Sequence, residues 1–265
     1  MVYKKISLFL FLNHIALKIT FLGTGTSQGI PVIGSQHPVC LSSNPKDKRL
    51  RVSVLIEWDD YVYVIDCGPD FRQQMLRVGC TKLDGILFTH EHADHTAGLD
   101  DIRPFYFKQG DIDIFAHRRV LGELQRRFDY IFATENRYPG APNVNQNEIK
   151  VDTPFVIGNK TVIPINGMHY KLQVFGYRIQ DFAYLTDLNF LEDQEIEKLI
   201  GVKILVVNAL RIESHISHFN LKEALHLISL VKPKSAYLTH ISHLLGFHDD
   251  VQQQLPPNVY LAYDS

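Results

Sequence analysis

The chain alternates short apolar runs with polar turns, a pattern that predicts β-strands interleaved with helices. Residues 51–58 and 61–66 are rich in β-branched and aromatic side chains, and Asp59-Asp60 between them is typical of a hairpin. The same criteria predict further strands at residues 17–22, 85–89, 112–116, 161–165, 173–179, 182–186, 203–208, 235–239 and 258–263.

Helices are predicted between these strands. Asp70 is a suitable N-cap for a helix over 71–78, and Asn220 with Glu223 forms a variant capping box before an apolar helical face. Helices are also predicted over 117–128 and 191–200, and residues 129–148 are predicted to form a long polar loop. With no linker between these elements, we expect one α/β domain over residues 18–265.

The first 17 residues differ from the rest. Lys4-Lys5 precedes the apolar residues 6–12, as in a signal peptide, but Asn13-His14 interrupts the run and no small-x-small cleavage site follows before Lys18. The run is also too short to span a bilayer. We therefore interpret residues 1–17 as an N-terminal extension outside the fold, with secretion as the alternative.

Composition and charge limit which partners and which cellular compartment are expected. The 265 residues are 45% hydrophobic, which suffices for a core, and the formal net charge of −2 does not favour a nucleic-acid partner. The densest basic cluster, Arg118-Arg119 with Arg126-Arg127, is interpreted as a solvated helix face. Three scattered cysteines indicate a reducing compartment, and hence a cytoplasmic protein with no membrane partner.

The densest chemistry lies just after the strand predicted at 85–89. His90, His92, Asp94 and His95 follow one another within six residues. Alternate residues of an extended chain share a face, and a following turn can bring the last two to the same point. Imidazole and carboxylate groups without a thiol suit zinc, manganese or iron. The stretch therefore predicts a metal site.

Further ligands are expected at other strand ends. Phe88-Thr89-His90 is matched by Leu185-Thr186-Asp187 and Leu238-Thr239-His240, and His169 follows another strand. In α/β folds, sites gather beyond the carboxyl ends of strands. Five histidines and two aspartates exceed the needs of one ion, so the sequence predicts two metal ions bridged by an aspartate.

The His-x-His-x-Asp-His motif with later His, Asp and His resembles the metallo-β-lactamase-fold hydrolases over residues 18–265. The resemblance implies a four-layer αββα sandwich with the site along one edge of the paired sheets. It also implies a ligand set for each ion. His90, His92 and His169 would hold one metal, Asp94, His95 and His240 the other, and Asp187 would bridge them.

Narrower motifs resemble the phosphoribosyl cyclic phosphate phosphodiesterase branch of the carbon–phosphorus lyase pathway. These are residues 23–32, with a glycine-rich turn that either binds phosphate or is only a tight connection, and residues 238–243. That branch carries an additional structural zinc on a Cys-x-Cys-x-x-Cys run and a distant histidine. Here Ser35 and His37 replace the first two cysteines, which leaves His37, Cys40 and His243 as candidate ligands.

The same resemblance gives His218 a catalytic role outside the metal shell. It implies hydrolysis of a small cyclic phosphodiester by a hydroxide that bridges two zinc or manganese ions, with His218 contacting the phosphate and assisting the leaving oxygen. A homodimer is expected by resemblance alone.

Several alternatives remain open. A thioesterase or lactonase of the same fold would not need His218, and a ribonuclease Z-like endonuclease would need a basic insertion that is not evident here. His92 argues against the diiron branch of the fold, which has glutamate there. A non-catalytic module should have lost ligands, and all seven are present.

Overall fold

The computed structural model describes residues 17–264, in which fourteen strands form two sheets. The expected extension therefore lies, except for its last residue, outside the described residues. The first sheet contains β1 Lys18–Gly23, β2 Ser53–Trp58, β3 Tyr61–Ile65, β4 Gly85–Leu87, β5 Ile112–His117 and β6 Val144–Ile149. The second contains β7 Phe155–Ile157, β8 Lys160–His169, β9 Leu172–Ile179, β10 Phe182–Tyr184, β11 Phe190–Leu191, β12 Ile204–Asn208, β13 Ser235–Thr239 and β14 Val259–Leu261.

Both sheets change from antiparallel to parallel pairing. In the first, in the order β1 to β6, the β1–β2 and β2–β3 pairs are antiparallel and the rest are parallel. The second has the order β11-β8-β9-β10-β12-β13-β14, with β7 on β8, and is parallel from β10 to β14. The predicted hairpin is confirmed, with Trp58 opposite Tyr61.

Helices cover the outer faces of both sheets. They are α1 Pro38–Leu41, α2 Phe71–Arg77, α3 Ala93–Thr96, α4 Arg103–Gln109, α5 Arg118–Arg127, α6 Asp129–Phe132, α7 Asp193–Glu197, α8 Leu221–Val231 and α9 His248–Gln252. Short 3-10 turns occur at Pro45–Asp47, Leu99–Ile102 and His243–Leu245. The capping box before α8 is present, with Asn220 and Glu223 bonded to each other's backbone N–H groups.

Three separate cores show the layering. Side chains on alternate positions of a strand face opposite sides, so Val64 packs under the helices while its neighbours Tyr63 and Ile65 face the second sheet. Between the sheets they meet Phe175 and Tyr177. A third core lies between the second sheet and α8. The architecture is the expected αββα sandwich.

One local prediction is wrong and another is confirmed only in part. Residues 129–148 are not one polar loop, because α6 occupies its start and β6 begins at Val144, pairing in parallel with β5. Asp70 does occupy the N-cap position of α2, but its side chain makes no capping bond, because its carboxylate accepts bonds from the backbone N–H and the guanidinium of Arg51. No helix within residues 17–264 is long and apolar enough to cross a membrane.

Candidate metal centre

The predicted ligands all stand just beyond strand ends or in short turns that follow them. His90, His92, Asp94 and His95 follow β4, His169 ends β8, Asp187 follows β10, and His240 follows β13. Asp187 and His240 adopt left-handed backbone angles, with φ of 56° and 54°. Such angles are uncommon for residues other than glycine and are concentrated at functional sites. Here they turn the chain from a strand into the site.

The first predicted triad is brought together. One nitrogen each of His90, His92 and His169 lies within 4.8 Å of the others. His90 Nε2 is 2.9 Å from His92 Nδ1, and the His169 ring centroid is 5.1 Å from that of His92. Three imidazole nitrogens at this spacing could bind one divalent ion.

The second triad lies beside the first. Asp94, His95 and His240 also have ligand atoms within 4.8 Å of one another. Asp187 reaches both triads: Oδ1 lies 3.1 Å from His240 Nε2 of the second, and its carboxylate forms a further close group with His169 of the first. It also forms a close group with His90 and His95. Asp187 therefore has the placement that a bridging carboxylate requires.

Buried histidine nitrogens without hydrogen-bond partners indicate whether a metal ion fits this site. His95 Nε2 and His240 Nε2 are buried, and within residues 17–264 neither has a hydrogen-bond partner despite carboxylate oxygens at 3.1 Å. Buried polar atoms are almost always hydrogen-bonded. Atoms that converge without bonding to one another are directed at a common point, as metal ligands are. The residues thus fit a bound divalent metal.

In three of the candidate histidine ligands, Nδ1 contacts an oxygen atom of the protein. His90 Nδ1 lies 3.0 Å from Thr89 Oγ1, His169 Nδ1 lies 2.8 Å from the Ser217 carbonyl oxygen, and His95 Nδ1 lies 2.7 Å from Asp66 Oδ2. Such contacts fix the tautomer and orientation of a metal-binding histidine. They leave Nε2 of each ring on the side that faces the other ligands.

Asp66 both shapes a turn and orients a candidate ligand. Asp66 has a φ of 64° at the end of β3, and its carboxylate accepts bonds from the Thr89 backbone N–H and hydroxyl as well as the contact with His95. No sequence pattern indicates the Ser217 carbonyl, because any residue supplies one.

The charges in the site favour a bound cation. Burial alone would lower the pKa of His95, but Asp94, Asp187 and Asp66 around it raise that pKa well above its ordinary value. Burial raises the pKa of Asp187, whereas His240 and His95 outweigh it and lower the pKa overall. The same carboxylates would stabilise a divalent ion, whose binding releases the His95 proton.

His218 lies at the edge of this cluster. Its ring centroid is 4.5 Å from that of His169 and 4.9 Å from that of His240, and its Nδ1 is 3.5 Å from Asp187 Oδ1. Burial, followed by the effect of His240, lowers the pKa of His218 to about 3. His169, Asp187 and His218 also form a group able to hold an ion. The position thus suits either a catalytic or a ligand role.

The predicted structural zinc site is less well formed. The His37 and His243 rings are close, with centroids 4.9 Å apart. However, His37 Nδ1 accepts the Val39 N–H at the start of α1, and Cys40 Sγ lies 3.5 Å from the Val32 N–H. The three residues are not among the ligand groups with atoms within 4.8 Å found in the described chain. A zinc ion there stays a prediction.

The backbone N–H groups of the glycine-rich turn already have partners within the protein. The N–H groups of Gly25, Thr26 and Gly29 donate to the carbonyl groups of Leu50, Ile241 and Thr26, respectively. A Cβ added at Gly23 would lie 2.0 Å from the Arg51 carbonyl oxygen. These observations favour the tight connection over a phosphate-binding loop.

Comparison with known proteins gives the class. The model for the Beta-lactamase superfamily domain matches residues 61–241. The protein therefore belongs to this superfamily and has the metallo-β-lactamase fold. The structure of a diphosphatase from the PhnP family superposes with a TM-score of 0.88 and 37% sequence identity, covering 94% of this chain and 96% of that one.

Two proteins related in sequence are considerably longer than this chain. An octanoyltransferase of Porphyromonas gingivalis is 38% identical over 250 residues, which is 94% of this chain and 50% of that protein. A ribonuclease Z of Bacillus licheniformis is 26% identical over 192 residues, which is 70% of this chain and 55% of that protein. This chain thus spans about half the length of each relative.

Proposed function

We propose that this protein is a dinuclear metal-dependent phosphodiesterase that hydrolyses a small, cyclic phosphodiester. The observation that carries the proposal is the pair of adjacent ligand triads with Asp187 between them. Two bound divalent ions would neutralise phosphate oxygens and activate water near neutral pH. Zinc and manganese both suit this donor set of imidazoles and carboxylates.

The likeness to the PhnP-family diphosphatase supports chemistry at phosphorus, and a phosphodiester and a diphosphate present the same kind of anionic centre. Ribonuclease Z, by its name, also acts on nucleic-acid phosphodiesters, but this chain has a net charge of −2 and no basic field for a folded RNA. The name octanoyltransferase refers to a protein of which this chain matches half, so acyl chemistry is kept as the rival to be tested.

The protein's own residues would do the following. His90, His92 and His169 would hold one ion, and Asp94, His95 and His240 the other, with Asp187 shared. His218 beside them would donate an N–H to the phosphate. Because its pKa is lowered to about 3, its imidazole is neutral at pH 7 until an anionic substrate raises that pKa and lets it protonate the leaving oxygen.

A substrate panel tests the reaction class. The purified protein, loaded with zinc or manganese, is assayed on bis-p-nitrophenyl phosphate, a ribose 1,2-cyclic phosphate, a diphosphate diester and a thioester. We expect metal-dependent cleavage of the cyclic phosphate to exceed that of the others. Turnover of the thioester with no cleavage of any phosphorus substrate would overturn the proposal.

His218→Ala tests the proposed catalytic role. We expect the variant to keep two metal equivalents and to lose about 10²–10⁴-fold in kcat on the phosphodiester, the range typical of a general acid–base group. Metal content by mass spectrometry and kcat are measured on the same preparation. His226→Ala, at an exposed position on α8 outside the site, serves as the histidine control. Loss of one metal equivalent from His218→Ala would make His218 a ligand instead.

A further inference from the structure

Helix α5 carries four arginines that fall into two pairs. Arg118 is exposed, and Arg126 bonds only to Glu123 of its own helix among the described residues. Arg119 and Arg127 instead reach the loop that carries the metal motif. The sequence-based interpretation of all four as a solvated face is therefore wrong for Arg119 and Arg127.

Arg119 joins two parts of the first triad. Its Nη2 lies 3.1 Å from Glu91 Oε2 and donates to the Gln173 carbonyl oxygen at 2.6 Å. Glu91 stands between His90 and His92 in sequence. Gln173 lies in β9 opposite Met168 of β8, the residue before His169. One guanidinium nitrogen thus connects the loop that bears two ligands to the hairpin that bears the third.

Arg127 holds the backbone of the same loop. Its Nη1 donates to the Glu91 carbonyl oxygen at 2.6 Å and to Thr96 Oγ1 at 3.2 Å. The Thr96 hydroxyl in turn donates to the His92 carbonyl oxygen at 2.9 Å. His92 itself is exposed, so its position depends on these backbone contacts more than on packing.

We propose that Arg119 is a positioning residue that keeps the His90–His92 loop and the His169 hairpin at the spacing required by one metal ion, with Arg127 bracing the loop. The inference rests on the proposed dinuclear centre. Glu91 neutralises the arginine, whose charge would otherwise oppose a dication. Partners that orient metal ligands typically contribute 10–100-fold in metal affinity.

The test is a zinc titration of Arg119→Gln against a chromophoric chelator, with Arg118→Gln as control. Both variants lose one positive charge at adjacent positions. We expect Arg119→Gln to weaken one of two zinc sites by 10–100-fold and to leave the other within about threefold. Arg118→Gln should bind both ions like the wild type. Cobalt absorption spectra should show altered coordination at one site only.

The sign of the change separates positioning from charge. Removing a cation near a dication site raises metal affinity if only long-range electrostatics act, so unchanged or raised affinity in Arg119→Gln would overturn the inference. Arg119→Lys keeps the charge but places it on a flexible stem, without the rigid planar guanidinium that fixes Nη2 against both acceptors. We therefore expect it to lose most of the same affinity.

Two further outcomes are decisive. The melting temperatures of the metal-free variants should equal that of the metal-free wild type within about 2 °C, which for a domain of this size is under about 1 kcal/mol. A large drop in Arg119→Gln and Arg119→Lys would make Arg119 a general folding residue and overturn the inference. Failure of the wild type to bind zinc would instead overturn the dinuclear centre itself.

Discussion

Two buried polar networks in this protein use similar side chains but differ in whether their polar atoms all find hydrogen-bond partners. Around Arg49, the guanidinium donates to Thr24 Oγ1 at 2.7 Å and to the Ala262 carbonyl oxygen, and its Nη2 lies 3.0 Å from His248 Nδ1. Asp264 accepts bonds from the Thr24 hydroxyl and the Leu50 N–H. This network satisfies its members within the protein and ties the end of the chain to the fold.

The candidate metal centre is also largely buried, but its polar atoms do not all find partners within the protein. Nε2 of His95 and of His240 lack hydrogen-bond partners within the described chain, although carboxylate oxygens lie close by. A buried polar atom without a partner costs about 1–3 kcal/mol. A network that leaves several such atoms directed at one point is built for a ligand, whereas the Arg49 network is built for stability.

The largest expected effect comes from removing the shared carboxylate. Asp187→Asn should release at least one metal equivalent and lower phosphodiester turnover by roughly 10³-fold or more, because a neutral amide is a poor bridge between two cations. Metal content and kcat are measured together. Asp181→Asn, at an exposed position, should behave like the wild type. An Asp187→Asn protein with both ions and full activity would show that the site does not share this residue.

A smaller loss of metal affinity is expected from changing Asp66, which contacts a candidate ligand rather than the metal. Asp66 binds His95 Nδ1 at 2.7 Å, so Asp66→Asn should keep an acceptor but remove the charge that makes the imidazole a stronger ligand. We expect metal affinity to fall about 10–100-fold, with little change in the other triad. The measurement is chelator competition at pH 7. Unchanged affinity would indicate that Asp66 serves only the turn.

The last prediction concerns the stability supplied by the network around Arg49. Burial, followed by Arg49 and Lys46, lowers the pKa of His248 to about 4. The unfolded chain, with a pKa near 6.5, therefore takes up the proton first. Stability from this group is present above about pH 6.5 and is lost as pH falls towards 4, by at most about 3 kcal/mol.

His248→Asn removes this titration while leaving an oxygen that can accept from Arg49. The free energy of unfolding in urea is compared at pH 7 and pH 5 for the metal-free wild type and the variant, so that titration of the metal ligands cancels in the difference. We expect the wild type to lose more stability than the variant between these values. Equal losses would contradict the assigned pKa of His248.

The strand-end histidines and aspartates were predictable because their positions follow from strand periodicity and from the rule that sites lie at carboxyl ends of strands. The four-layer fold followed from the resemblance, and the capping box at Asn220 from local hydrogen bonding alone. The strand at Val144–Ile149 was missed because its alternation is weak and parallel pairing with β5 supplies most of its stabilisation.

The sequence by itself determined the ligand types and the strand ends that deliver them, because both depend on local pattern. Only the tertiary structure decided which arginines of α5 reach the motif. It also decided that N–H groups of the glycine-rich turn donate to backbone carbonyls, and that His37 and Cys40 accept from nearby N–H groups. The physical reason is that the sequence contains many possible hydrogen-bond partners for each polar side chain. Its choice among them depends on which partners packing brings within about 3 Å.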